Sequence, residues 1–505
     1  MKHNPRMMSP AAGMYMFLLL AAGSADSAPY SGLVTVPQRG ADFFGSPERF
    51  NRYYTDRNYQ PDRILYVSPD GSGDGSAASP MSADHALSQA RAGDQILFRD
   101  GQYQGCWELD DGQSGTYDKP IVLKAESSAA SIDCCNSGRA SCFNLEGADY
   151  IAIDGFQLNG GSYGVRAVGL EYAASGHQKG IAILNTRAGN QYKDPFFSGQ
   201  SDWIVLDGNT GYGGGDGDGH GIYLSNGGDW AIVRNNELYH NSSSDFQINA
   251  DPISTCEDDN IPYDDPRCHG SALEQLGQGV SEFILVENNY FHNSDVGPNF
   301  TSVRNAVVRN NIIGPYTRHG TSFWQETDVP QLGSSDNRIE HNLFMGNNSR
   351  HVLQTVVYSD RNQVRNNVLL GVSSSGSANP DTVLVDVDRD TVTANLFSGN
   401  VYIGGRFDGF SPSPGEQRLK SFNTGWFNHF PLDGMGNTTD YRPEKTAPFF
   451  DSTRLLPTTP MDMEGRPRRN PVSAGPWEHG GQLKAVVTPE DKKSPDTHGT
   501  SAPAR

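Results

Sequence analysis

Short apolar runs recur along the middle of the chain, and each closes on an asparagine. They read IAILN (Asn185), IVLDGN (Asn209), AIVRNN (Asn236), ILVENN (Asn289), AVVRNN (Asn311), RIEHN (Asn342), QVRNN (Asn367) and TVTAN (Asn395). The successive spacings are 24, 27, 53, 22, 31, 25 and 28 residues. Within a run, apolar and polar positions alternate as in a half-buried strand, and no helical period separates one run from the next. Self-similarity at a period of about 20–50 residues marks a solenoid or propeller. The pattern therefore predicts an all-β solenoid with one rung per turn of chain. The 53-residue gap is either two rungs or one rung carrying a large loop. Residues on successive rungs line up about 4.8 Å apart and build a long side wall, a natural surface for a linear polymer. The asparagines have a structural role: Asn tolerates the left-handed conformation at a sharp turn and hydrogen-bonds locally. Stacked rung on rung, their side chains also bond to each other, which removes Asn236, Asn289, Asn311 and Asn367 from the candidate site.

Before the repeats, Ile64–Ser68 (ILYVS) reads as a strand, followed by a Gly/Ser/Asp-rich turn. Ser82–Arg91 (SADHALSQAR) has a helical pattern with Ser82 as N-cap. A short helix there would cap the open end of the solenoid, whose first rung has no neighbour to bury it. AGDQILFRDGQY (92–103), PIVLKAE (120–126) and YIAIDGF (150–156) come next. After Asp440 the pattern fades.

The residues Tyr66-Val67-Ser68-Pro69-Asp70-Gly71, Ala92-Gly93-Asp94, Gly101-Gln102-Tyr103 and Pro120–Glu126 stand in an order that closely resembles the opening of the pectate-lyase-like parallel β-helix proteins. His220–Ser225 with Ile232–Asn236, and Gly465–Arg468 with Gly475–Glu478, resemble later parts of that group. The resemblance spans roughly residues 62–480 and implies a right-handed parallel β-helix. Handedness comes from the family alone, since the repeat gives only a solenoid.

Composition narrows the partners. The net charge of −20 argues against nucleic acid or an anionic membrane. Residues 201–280 carry a balance of −12, whereas 301–370 carry +2 from seven Arg and no Lys, a basic strip able to hold an anionic substrate. Lys2, Arg6, the apolar stretch Met14–Ala22 and the small residues Ala25-Asp26-Ser27 form an export-signal pattern. No segment has 18 consecutive apolar residues, so no membrane span is expected. The expected organisation is a signal peptide (1–27), a lead-in (28–62), the β-helix (63–480) and a disordered tail (481–505), in a secreted or periplasmic protein. Six cysteines fit an oxidising compartment. Cys106 is expected to pair with Cys134 or Cys135, and Cys256 with Cys268 as a local clip; the connectivity stays open.

Candidate chemistry follows from the register. Counting from the ladder asparagines sets Arg318-His319 and Arg350-His351 on neighbouring rungs, within a few ångströms of each other. Two Arg side chains can bind a sugar carboxylate bidentately, and a His moves protons near neutral pH. That equipment suits β-elimination of a uronic acid, in which the carboxylate is neutralised, a base takes the C5 proton and an acid assists the leaving oxygen. Arg318-His319-Gly320 followed by Asn337–Asn348 (NRIEHNLFMGNN) is similar to a stretch of the alginate-lyase and chondroitinase-B-like lyases. The resemblance implies an Arg as catalytic acid, a Lys one rung earlier as base, and Ca2+ neutralising the carboxylate. This sequence departs from it: no Lys occurs between 194 and 419. His319, His351 and His220 are then the candidate bases.

Alternation turns Tyr223, Gln247, Asn249, Asn299, Thr301, Ser322, Trp324 and Gln354 outward. It turns Ile222, Leu224, Phe246, Ile248, Phe300 and Phe323 inward. Tyr223, Gln247, Asn249, Asn299, Trp324 and Gln354 are the candidate substrate-binding residues, with Trp324 as a stacking platform. Asp216, Asp218, Asp245 and Asp251 are candidate oxygen ligands for Ca2+. A second reading is a glycoside hydrolase using Asp245 with Asp251, or Glu274 with Glu326. The polygalacturonase pattern matches only at Gly219-His220-Gly221, and the DPHD signature of C5 epimerases is absent. The leading expectation is an exported lyase acting on an acidic polysaccharide. A non-catalytic carbohydrate-binding protein is the alternative from another class.

Overall fold

The computed structural model describes residues 59–134, 140–171, 176–215, 217–251, 279–316, 318–327, 329–347, 350–430, 440–449, 459, 461–469 and 472–478. The expected signal peptide, most of the lead-in, Cys135, Cys256, Cys268 and the tail from 481 lie outside them.

Alternating strands build three parallel sheets, and the chain visits them in turn once per rung. Among the described residues, sheet 1 has 12 strands, from Arg63–Val67 to Leu396–Ser398. Among the same residues sheet 2 also has 12, from Gly101–Gln104 to Gln417–Leu419, and sheet 3 has 11, from Trp107–Asp110 to Arg406–Asp408. The fold is a parallel β-helix. Val233 pairs directly with Val286, so the 53-residue gap is one rung carrying a large insertion.

Inward residues stack in registered columns. On sheet 1 one column runs Ile183, Leu206, Val233, Val286, Val308, Ile339 and Val364. On sheet 3 all six residues expected inside (Ile222, Leu224, Phe246, Ile248, Phe300 and Phe323) are buried. The Phe300 and Phe323 rings stack with centroids 4.5 Å apart. The expected capping helix is present at Ala83–Ser88, with Ser82 Oγ accepting from the His85 amide. Its buried Ala83, Ala86 and Leu87 close the first rungs against Leu65, Phe98 and Leu109. Cys106 is bonded to Cys134, while Cys142 is a buried free thiol.

The asparagine ladder is continuous through Asn209, Asn236, Asn289, Asn311, Asn342, Asn367 and Asn400. Each backbone amide donates to the next side-chain Oδ1 at 2.8–3.0 Å. Two expectations shift. Asn185 lies one residue early, and Thr186 takes the ladder position by donating its amide to Asn209 Oδ1. Asn395 belongs to a second ladder with Asn337 and Asn362. The left-handed residue of each turn is also the one before the ladder asparagine: Asn235, Asn288, Asn310, His341 and Asn366 have φ of 55–56°. The sharp turn and the hydrogen-bond ladder are thus divided between adjacent residues.

Candidate functional site

The outer face of sheet 3 carries all six candidate substrate-binding residues. Tyr223 comes from Ile222–Ser225, Gln247 and Asn249 from Phe246–Asn249, Asn299 from Asn299–Thr301, Trp324 from Thr321–Trp324 and Gln354 from Leu353–Thr355. Because side chains alternate with period two, the parallel register lines up Tyr223, Gln247, Asn299, Ser322 and Gln354 as one outward column. Hydrogen bonds fix this wall from rung to rung. Asn299 Nδ2 donates to Gln247 Oε1 at 2.9 Å, and Trp324 Nε1 donates to Asn299 Oδ1 at 2.6 Å.

The two Arg-His pairs sit beside this column, at the corner where the chain turns from sheet 2 into sheet 3. The Arg350 amide donates to the Arg318 carbonyl at 3.1 Å, which sets the pairs in register. The His319 and His351 rings are 5.3 Å apart. His351 Nε2 and Ser322 Oγ share a hydrogen bond of 2.9 Å. Arg350 is exposed, and Arg318, 61% exposed, pairs with Asp295 at 3.2 Å. Burial, then the Arg318 and Arg350 charges, hold the His319 imidazole below its usual value. Burial, His319 and Arg350 push His351 down to about 3. Both rings are therefore neutral in the free protein at ordinary pH. Gly320 follows for a steric reason: a Cβ there would lie 2.3 Å from the Val352 carbonyl and 2.5 Å from that of His351. The glycine lets the two rungs close at the corner.

His220 does not join this pair. The corner bridges run from Ser244 through Val296 to His319, and His220 lies one rung before Ser244. Three rungs separate it from His319, about 14 Å along the axis. It is buried, shares a 2.8 Å hydrogen bond with Ser244 Oγ and packs its ring 4.9 Å from that of Tyr223. Burial drives its pKa down to about 4, which Asp218 partly opposes.

The expected Ca2+ ligands are not brought together among the described residues, where no group of three or more His, Cys, Asp or Glu is placed to hold a metal. Asp216 lies outside them. Asp218 is 92% exposed, near His220. Asp245, expected among the Ca2+ ligands, is enclosed in the fold. It precedes the strand at the corner, where alternation no longer applies, and its fully buried carboxyl accepts from Asn241 Nδ2 and from Ser294 Oγ. Burial raises its pKa well above the carboxylate range. Asp251 lies past the far end of its strand, and its charge together with burial raises the pKa of Glu326, whose Oε1 accepts from Asn249 Nδ2 at 3.0 Å. Glu274, the expected partner of Glu326, lies outside the described residues.

The sequence matches the family described as "Right handed beta helix region" over residues 196–392. The crystal structure of pectate lyase Pel9A superposes with a TM-score of 0.51 at 15% identity, covering 84% of this chain and 98% of that one. The chain is a right-handed parallel β-helix. Similarity extends to endo-xylogalacturonan hydrolase from Aspergillus tubingensis (TM-score 0.44, 12% identity, 70% of this chain and 100% of that one). It extends also to the Azotobacter vinelandii mannuronan C-5 epimerase AlgE6 A-module (0.39, 12%, 67% and 92%). No curated protein matches the sequence. A fold does not fix a chemistry, which must be argued from particular side chains.

Two features of the β-helix site escaped sequence reasoning. The Ser322–His351 bond joins a strand to the next rung's corner; alternation finds Ser322 but not that partner. The closeness of Asp251 to Glu326 joins segments 75 residues apart by number, and no local pattern signals it. Among the described residues, no helix is long and apolar enough to cross a membrane.

Proposed function

We propose that the protein is an exported enzyme that cleaves a uronate-containing polysaccharide by β-elimination on the outer face of sheet 3. The observation that carries this reading is the pairing of Arg318-His319 with Arg350-His351 on adjacent rungs, beside an ordered polar and aromatic wall. The guanidinium groups hold the uronate carboxylate and draw charge from C5, which acidifies the C5 proton. His319, the less buried imidazole, takes that proton. The C4–O4 bond breaks as the C4–C5 double bond forms, and O4 takes the Ser322 hydroxyl proton. His351 Nε2 restores that proton to Ser322, and the proton that His319 took from C5 passes to His351, so that no net proton is gained or lost. The acids expected to bind Ca2+ do not form a site among the described residues, and no step here is routed through a metal.

The test is the ultraviolet absorbance of unsaturated uronate while purified protein acts on a panel of uronate polysaccharides, with and without EDTA. A rise that falls about 100-fold in Arg350→Gln supports the proposal, in line with the 1.5–3 kcal/mol of a charge-assisted hydrogen bond. Loss of the rise with EDTA would bring a metal into the mechanism. The pair Asp251 and Glu326 favours a second reading, glycoside hydrolysis by two carboxylates, with burial and the Asp251 charge holding Glu326 above its usual value. New reducing ends without absorbance would select it, and binding without any cleavage would leave a carbohydrate-binding protein. Export would be seen as a mature chain starting near Ala28, by mass spectrometry of the secreted protein.

A further inference from the structure

The outward column of sheet 3 continues well beyond the Arg-His corner, and its charges are unevenly spread. Going toward the N-terminal end from Ser322 it passes Asn299, Gln247, Tyr223 and Phe197 before reaching Arg166. Four neutral rungs thus separate Ser322 from Arg166, about 24 Å along the axis. Arg166 is itself neutralised by an ion pair with Glu146, and it donates to Asn144 Oδ1 at 2.9 Å. With Glu108 and Ala140 these three line a cleft of about 370 Å3. Tyr163, Phe197 and Tyr223 form an aromatic strip leading to it, with ring centroids 5.0 and 5.4 Å apart. Toward the C-terminal end the column runs from Gln354 to Asp386 and Asp408. The Asp386 carboxyl is raised in pKa by burial and by Asp408 and Asp388. Asp251 and Glu326 add acid at the edge beside Asn249.

Arg406 stands on the same face but beside Asp408, 3.9 Å away, as Arg166 stands beside Glu146. The two guanidinium groups on adjacent rungs, Arg318 with its partner Asp295 and Arg350, therefore make the net positive point of this face, and the residues on either side are neutral, acidic or paired with an acid. A polymer charged on every sugar would meet one favourable position and repulsion at the ends. Aromatic faces with planar polar neighbours instead suit the apolar faces and hydroxyls of neutral sugars.

Resting on the reading of sheet 3 as the substrate wall, we propose that the substrate is a heteropolysaccharide in which an isolated uronate is flanked by neutral sugars. Phe197, Tyr223 and the Arg166–Glu146 cleft hold the neutral sugars on one side of it. The experiment compares equilibrium binding of two hexasaccharides to the full chain: homogalacturonate, and a backbone alternating galacturonate with rhamnose. Product absorbance is followed in parallel.

The alternating hexasaccharide is expected to bind at least tenfold tighter at low salt, with the gap narrowing as salt screens the acids. Phe197→Ala should weaken its binding about tenfold and leave a galacturonate–rhamnose disaccharide unchanged. Asp386→Asn, which removes a half-buried acid from the outward column at nearly constant size, should tighten homogalacturonate binding. Equal or tighter binding of homogalacturonate by the unmodified protein overturns the proposal, as does failure to bind either. Absent absorbance with the binding preference intact sinks the elimination reading and leaves this one standing. Cleavage with homogalacturonate preferred does the reverse.

Discussion

His351 Nε2 and the Ser322 hydroxyl share a hydrogen bond of 2.9 Å, and it ties the corner of one rung to the wall of the rung before. The bond fixes the ring while leaving Ser322 on the outward column next to Gln354. If Ser322 passes a proton to the leaving oxygen, Ser322→Ala should lower kcat by about 100- to 10,000-fold, the scale of a general acid–base contribution. KM should stay within about twofold, because the hydroxyl acts in the transition state and not in ground-state binding. A loss confined to KM would assign Ser322 to sugar binding instead.

The pH profile should separate free from substrate-bound protein. In the free protein His351 is pushed down to about 3, and His319 is also lowered. A lowered imidazole pKa means the proton is lost readily, so the ring stays neutral well below its usual titration near pH 6.5. The acid limb of kcat/KM, which reports free protein, should therefore lie below pH 6.5. A docked carboxylate offsets the Arg318 and Arg350 charges that help depress these rings. The acid limb of kcat should then move to higher pH. Coincident limbs in initial-rate measurements from pH 3 to 8 would contradict the carboxylate site.

Gly320→Ala should damage the site without touching a functional group. The added Cβ would lie 2.3 Å from the Val352 carbonyl, which is backbone and cannot swing aside. The two rungs must part at the corner that aligns His319 with His351. A misplacement of about 1 Å is enough to cost 100-fold in rate. The expected result is a folded protein by circular dichroism with activity reduced about 100-fold and a lowered Tm.

Much of this arrangement is legible in the sequence because β-helix rungs repeat. Alternation correctly buries Phe246, Phe300 and Phe323, and counting from the asparagines sets the two Arg-His pairs on adjacent rungs. The count differs by one between them, eight residues from Asn311 to His319 and nine from Asn342 to His351. Corners are where the reading fails. Asp245, expected as a metal ligand, lies in a corner with its carboxyl buried among Asn241 and Ser294. His220 shares a Gly-flanked pattern with His319 because Gly221 and Gly320 both pack against the next rung's backbone, not because the two histidines meet.

The ladder predicts a stability effect separable from function. Asn311 Oδ1 accepts from both the backbone amide and Nδ2 of Asn289, and its own Nδ2 donates to the Val286 carbonyl and to Asn342 Oδ1. Asn311→Ala leaves these buried groups without partners at about 1–3 kcal/mol each. Destabilisation of about 3 kcal/mol or more is expected in urea unfolding, with unchanged m. Activity per folded molecule should persist, because the ladder faces the interior, away from the wall.

Asp245 gives a test of pH-linked stability with a definite sign. Burial raises its folded pKa well above the unfolded carboxylate value near 4, and the hydrogen bonds from Ser294 and Asn241 only partly counter this. The folded state then holds a proton that the unfolded state releases. Its stabilising contribution is complete below pH 4 and is lost as pH rises from there through the folded pKa. Asp245→Asn keeps the size and a side-chain oxygen to accept from Asn241 and Ser294, but removes the titration. The variant should lose stability less steeply than the parent as pH rises above 4, and should equal or exceed it at pH 7. Thermal unfolding of both proteins between pH 4 and 8 measures the difference. Parallel curves would mean that Asp245 stays ionised in the fold, held by a contact beyond Asn241 and Ser294.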